Sequence, residues 1–163
     1  DTNVQDFPSS ERLVNVSKSC VRVARLFGFD PKVAFLSHST FGKPISKITK
    51  HVRTSIETLK KEKVDFDFDG EMQPDVALNP KNQEIYSHLK IIGNANILIM
   101  PALHSAAIST KLMKVFGGGK LIGPLLIGLG QPIEVAPLRA STSEILNLAS
   151  IASYSSDVID YLN

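Results

Sequence analysis

The sequence predicts an α/β fold, a three-layer α/β/α lobe built on a mostly parallel sheet. Three observations point there. Short, nearly all-apolar runs at 32–37 and 96–100 have the composition of parallel strands buried on both faces. Between such runs lie longer stretches whose apolar residues recur at helical spacing. No internal repeat, low-complexity tract or evident linker interrupts the alternation, so the strands must reach one sheet by crossovers.

The elements follow in order. Pro8-Ser9-Ser10-Glu11 supplies an N-cap for a helix carrying Leu13, Val14, Val16, Cys20, Val21, Val23, Ala24 and Phe27 on its apolar face, and Gly28 stops it. Beyond Pro31 a strand opens into the polar loop Ser37-His38-Ser39-Thr40-Phe41-Gly42-Lys43-Pro44. A second helix then places Ile45, Ile48, Val52, Ile56 and Leu59 on one face and lysines on the other. The alternation Val64-Asp65-Phe66-Asp67-Phe68 predicts a strand with one buried face, followed by a Gly-hinged acidic turn at 69–75. A short helix from Pro74 breaks at Asn79-Pro80, and another helical piece runs through Ile85 and Leu89. Residues 96–100 read as a buried strand ended by Pro101, and 104–116 as a helix stopped by Gly117-Gly118-Gly119. The apolar run 120–129, broken at Gly123-Pro124, reads as strand or extended chain, and 133–136 as a last short strand. A final amphipathic helix from Ser141 to about Leu162 takes Ser141 or Ser143 as its cap, with Glu144 in the first turn.

The chain has 163 residues, enough for one real core or for part of a larger domain. A net charge of +2 is too mild to argue for nucleic acid. No apolar run reaches the roughly 18–20 residues of a membrane span. The polar, acidic start at Asp1 resembles neither a signal nor a transit peptide. The single cysteine, Cys20, excludes an internal disulfide framework and fits a reducing cytosol. The expectation is a cytoplasmic protein without membrane or nucleic-acid partners.

Candidate chemistry gathers at strand ends, where ligands collect in α/β folds. Asp69, Glu71, Gln73 and Asp75 place three carboxylates and an amide within seven residues, more than a structural turn requires. Ser37, Ser39 and Thr40 with Gly42 offer hydroxyls and backbone N–H groups ahead of a helix, suited to a phosphate or other anion; N-capping of that helix is the competing reading. Arg139, Ser141 and Ser143, entering the last helix with Glu144, form a second anion-friendly segment. Gly117-Gly118-Gly119-Lys120 lacks phosphate-loop spacing and follows a helix. There is no dinucleotide fingerprint, no histidine or cysteine pair at metal-ligand spacing, and no nucleophile elbow.

These segments, in this order, resemble the phosphate acetyl/butyryl transferase family. The matching pieces are Asp1-Thr2-Asn3-Val4, the run from Val33 to Gly42, the acidic motif from Asp69 through Ala77, 95–101, 123–129 and the terminal helix. Ser37-His38-Ser39, Met72, and Pro101-Ala102-Leu103-His104-Ser105-Ala106 with the 108–112 segment are most similar to the transferase-like C-terminal region of bacterial NADP-dependent malic enzymes.

The resemblance implies a fold of the isocitrate/isopropylmalate dehydrogenase type, as in phosphotransacetylases. The family domain has two lobes, with acyl-CoA and phosphate between them. Residues 1–163 would then be the C-terminal part, the second lobe plus the terminal helix. It implies acyl-CoA or phosphate binding at Ser37, Ser39, Thr40, Asp69, Glu71, Gln73, Asp75, Arg139, Ser141 and Ser143. Active members carry Leu-Ser-Arg-Gly-Cys-Ser and then an acid at the last helix. Here the segment is one residue shorter, Leu138 falls where the serine would be, and Arg139 and Glu144 are degenerate catalytic candidates. Ala107 also replaces an asparagine common in related chains.

The implied function is an acyl-CoA-binding regulatory and oligomerisation domain without transfer activity, with acetyl-CoA as effector and a homodimer or higher oligomer as its state. NADP and a divalent metal would belong to N-terminal malic enzyme domains of the same polypeptide, with no cofactor or metal in this part. The alternatives are a piece of an active phosphate acetyltransferase, or a module serving assembly alone.

Overall fold

A computed structural model describes residues 5–44, 46, 49–91 and 93–157. The chain forms two compact units that divide between Ala106 and Ala107. The Asp1-Thr2-Asn3-Val4 motif, Ile45, Ile48 and the end of the last helix lie outside the described residues.

The first unit opens with helix α1 (Ser10–Leu26), whose N-cap Ser9 accepts the Arg12 N–H. Strand β1 (Lys32–Leu36) follows, then helix α2 (Lys50–Glu62), strand β2 (Asp67–Met72), two single-turn helices α3 (Pro74–Ala77) and α4 (Pro80–Gln83), and strand β3 (Ile97–Ile99). The sheet is three-stranded and parallel in the order β2-β1-β3, with β1 central. One face packs Val33, Phe35, Phe68, Ile97 and Ile99 against Leu13, Val14 and Val21 of α1 and Val52, Ile56 and Leu59 of α2. The opposite face packs Ala34, Leu36 and Met72 against Val76, Ala77, Ile91 and Ala95. Because both faces are covered, β1 can be apolar at every position from Val33 to Leu36, which explains its lack of alternation. The α/β, three-layer expectation is met.

Three elements of this unit depart from the sequence reading. The second strand is Asp67–Met72, not 64–68, because β1 pairs with Asp67 onward, while Asp65 is drawn off to an exposed ion pair with Arg25 at 3.0 Å. The acidic motif is therefore largely strand. The second helix begins only at Lys50, well after the Ser-rich loop. The helical piece expected through Ile85 and Leu89 ends at Gln83, whose buried amide instead donates to the Val76 and Gly93 carbonyls, both at 2.9 Å.

The second unit contains most of helix α5 (Leu103–Phe116) and helix α6 (Thr142–Asp157). The strands expected at 120–129 and 133–136 reduce to one antiparallel bridge, Leu125 with Glu134. Gly123-Pro124 breaks the first segment, and proline has no N–H to extend a ladder.

Candidate functional site at the strand tips

Parallel pairing brings the carboxyl ends of β1 and β2 side by side, so the loop after β1 and the acidic motif meet. The register shifts between Phe35 and Leu36: Phe35 lies opposite Gly70 and Leu36 opposite Met72, leaving Glu71 as the extra residue of a bulge. Gly70 makes the bulge possible. Its φ is +143°, and a Cβ there would sit 2.6 Å from the Phe35 carbonyl oxygen.

Glu71 is turned fully inward, with no side-chain exposure. Burying a carboxylate is costly unless it is paired and hydrogen-bonded. Ser39 Oγ donates to Glu71 Oε1 at 2.5 Å, and Arg53 Nη1 reaches Oε1 at 3.1 Å and Oε2 at 3.4 Å. Arg53 Nη2 also donates to the Ser46 carbonyl at 2.9 Å. Main-chain bonds reinforce the junction, from Ser37 N–H to the Met72 carbonyl (2.9 Å) and from Phe41 N–H to the Glu71 carbonyl (2.8 Å). Gln73 completes it: its N–H donates to Thr40 Oγ1 at 3.1 Å and its side-chain amide to the His38 carbonyl at 2.7 Å.

The loop itself is a tight reverse turn. Thr40 and Lys43 exchange N–H to carbonyl bonds at 3.1 Å in each direction, with Phe41 and Gly42 between them at φ 50° and 79°. Two positive φ values in succession match a type I′ turn. The Phe41 ring packs on Tyr86 and His88, with centroids 5.4 and 4.4 Å away.

The structure thus joins Ser37, Ser39, Thr40, Glu71 and Gln73 in one connected cluster. The backbone N–H groups expected to be open at 37–42 are engaged at Ser37, Thr40 and Phe41, with a longer 3.4 Å contact from Ser39 to Ser37 Oγ. The hydroxyls of Ser39 and Thr40 bind protein groups and are buried. Asp69 is buried too, accepting the Gly70 N–H at 2.9 Å and the Lys90 N–H at 2.7 Å. Asp75 is exposed and takes a 3.4 Å contact from Asn82. The polar side chains left at the surface of these tips are His38, Lys43, Gln73, Asp75 and half-buried Arg53. His51 Nε2 lies 3.0 Å from the Pro101 carbonyl, past the end of β3. Such a rim can hold a ligand by hydrogen bonds and by the Lys43 and Arg53 cations. Among the described residues no group of three His, Cys, Asp or Glu is placed to hold a metal ion, and no helix is long and apolar enough to cross a membrane.

Arg53 is the residue that sequence reading missed. It sits beside Val52 on α2 and looks like one of the solvated cations. The signal that could have found it is Glu71, since an acid inside a strand needs a cation from the covering helix.

Arg139, Ser141, Ser143 and Glu144 lie in the second unit. Ser141 and Glu144 form a capping box: the Glu144 N–H donates to Ser141 Oγ at 3.3 Å, while Ser141 N–H and Oγ–H donate to Glu144 Oε2 at 2.7 and 2.9 Å. The first turn's dipole therefore already faces a carboxylate of its own chain. The bonds from Ser141, the backbone one foremost, hold the Glu144 carboxyl below its ordinary range, and Lys114 adds to this from 3.6 Å. Arg139 and Ser143 are exposed.

Family comparison agrees with this architecture. The phosphate acetyl/butaryl transferase family matches residues 1–153. The chain belongs to that family. Among curated relatives, an NADP-dependent malic enzyme from Rhizobium meliloti is 44% identical over 154 residues, 94% of this chain but 20% of its own length. A phosphate acetyltransferase from Clostridium acetobutylicum is 33% identical, over 93% of this chain and 46% of its own. A solved phosphotransacetylase from Streptococcus pyogenes superposes with TM-score 0.90 at 30% identity, covering 97% of this chain and 48% of that one. The chain thus spans about a fifth of the malic enzymes and about half of the transferases it matches.

Proposed function

We propose that this chain is the phosphotransacetylase-like C-terminal region of an NADP-dependent malic enzyme, and that it binds acyl-CoA as a regulatory domain with no transfer activity of its own. One observation carries the proposal: identity is 44% to a malic enzyme, against 33% to a phosphate acetyltransferase of the same family. The chemistry of the site supports it. Acyl transfer to phosphate depends on positioned cations and donors. At the strand tips the Arg53 guanidinium is already committed to Glu71 and Ser46, and at α6 Ser141 and Glu144 cap each other. Groups spent on holding the fold are poor catalysts but can still shape a binding rim.

In this reading, malate is oxidatively decarboxylated to pyruvate in N-terminal domains of the same polypeptide, where NADP and a divalent metal would bind. Acetyl-CoA acts from this region by favouring one of two global states, which requires unequal affinity for them. The parent protein is cytoplasmic and assembles as a homodimer or higher oligomer, using apolar surface such as Leu121, Ile122 and Leu129, all exposed here.

The test is calorimetric titration of acetyl-CoA into the full-length protein, alongside its rate of malate oxidation with and without acetyl-CoA. Saturable heat with a changed rate supports regulation; no heat and an unchanged rate overturn it. The second reading, an active phosphate acetyltransferase, is favoured by the 0.90 superposition on a phosphotransacetylase. Robust acetyl phosphate formation from acetyl-CoA and phosphate by the full-length protein would establish it.

A further inference from the structure

We propose that Arg53 is a positioning residue for the acyl-CoA site, acting through Glu71 to hold the loop after β1 on the β2 bulge. The inference rests on the acyl-CoA-binding reading and assigns a role to a residue outside the segments that carry the family resemblance. Glu71 has no side-chain exposure, and Arg53, with 34% exposure, is its cationic partner at 3.1 Å. A buried carboxylate left with a hydroxyl alone would be poorly compensated. Through its other terminal nitrogen the same guanidinium takes the Ser46 carbonyl at 2.9 Å, so one side chain ties α2 both to β2 and to the connection leading out of the loop.

The loop needs such a tether. Phe41 occupies the left-handed region at φ 50°, a conformation that side chains other than Gly, Asn and Asp rarely adopt and that surrounding contacts must impose. What holds it is Glu71 itself: its carbonyl accepts the Phe41 N–H, and its carboxylate accepts the Ser39 hydroxyl. His38 and Gln73, two of the exposed polar residues of the tips, are carried on this junction and joined by the 2.7 Å bond between them. Arg53 thus sets where the ligand-facing groups stand.

The test compares the full-length wild type with Arg53→Met and with Arg53→Met/Glu71→Gln. Three readouts are taken: urea midpoint, hydrogen exchange of peptides covering 37–43 without ligand, and acetyl-CoA affinity. Arg53→Met is expected to lower the midpoint, speed loop exchange and weaken acetyl-CoA binding by about tenfold. The double variant leaves no unpaired buried charge, so its midpoint recovers. Its loop exchange stays fast and its affinity stays about tenfold weak. Exchange and affinity that recover together with the midpoint would make Arg53 purely structural and overturn the proposal, as would unchanged loop exchange in Arg53→Met. If the wild type itself gives no acetyl-CoA signal, the acyl-CoA reading falls, while the exchange comparison still decides whether Arg53 holds the loop.

Discussion

The two units treat apolar surface in opposite ways. The unit up to Ala106 closes a core on each face of its sheet, with Val33, Ala34 and Phe35 wholly buried. In the unit from Ala107 onward, Leu148 is the one described residue that is buried, while Val115, Phe116 and Leu138 are at least 74% exposed. The first unit can hold charged groups such as Glu71 and Asp69 inside because its packing fixes their partners. The second has little interior in which to fix anything, and it leaves large apolar side chains exposed.

Substitutions in the two units should therefore differ in size, and the largest effect belongs to the first core. Phe35→Ala should cost about 3–5 kcal/mol in urea unfolding, the range for deleting a buried aromatic ring. Gly70→Ala comes next, at about 2–4 kcal/mol, because the new Cβ meets the Phe35 carbonyl oxygen at 2.6 Å and the backbone lies at φ +143°. A Gly70→Ala variant as stable as wild type would mean that the bulge relaxes freely.

In the second unit the expected losses are smaller. Ser141→Ala removes the α6 cap and should cost about 1 kcal/mol, read from local hydrogen exchange in α6. It should also change the acid limb of stability. The folded Glu144 carboxyl titrates below its ordinary range, so its contribution is complete above that range and is lost as pH falls through the folded value. Ser141→Ala keeps the backbone N–H bond, the larger cause, and loses only the hydroxyl bond, so that limb should shrink in part and not vanish. The smallest effect on unfolding is expected for Phe116→Ser, within about 0.5 kcal/mol for a side chain 80% exposed. If that surface serves assembly, light scattering of the same variant should show a lower mass. An unchanged mass would remove Phe116 from any interface.

Legibility in the sequence followed the same division. In the first unit, a helix cap within Pro8-Ser9-Ser10-Glu11 and the nearly all-apolar β1 and β3 were readable because local propensity and burial agree there. The β2 boundary was misread because Phe66 and Phe68 look like strand by alternation, whereas pairing with β1 selects Asp67–Met72. That the Ser-rich loop and the acidic motif share one strand edge could be anticipated from parallel topology. That Ser39 and Thr40 are spent on Glu71 and Gln73 could not, because those bonds run between residues 32 and 33 positions apart. In the second unit, 120–136 carries strand-like residues without a strand partner, so composition suggested ladders that do not form beyond one bridge.

The most direct measurement is hydrogen exchange of the full-length protein with and without acetyl-CoA. A ligand held by the rim of β1 and β2 should slow exchange in peptides covering 37–43 and 69–75. Slowing confined to other segments, with these two unchanged at saturating acetyl-CoA, would contradict the assignment of the strand tips as the acyl-CoA site.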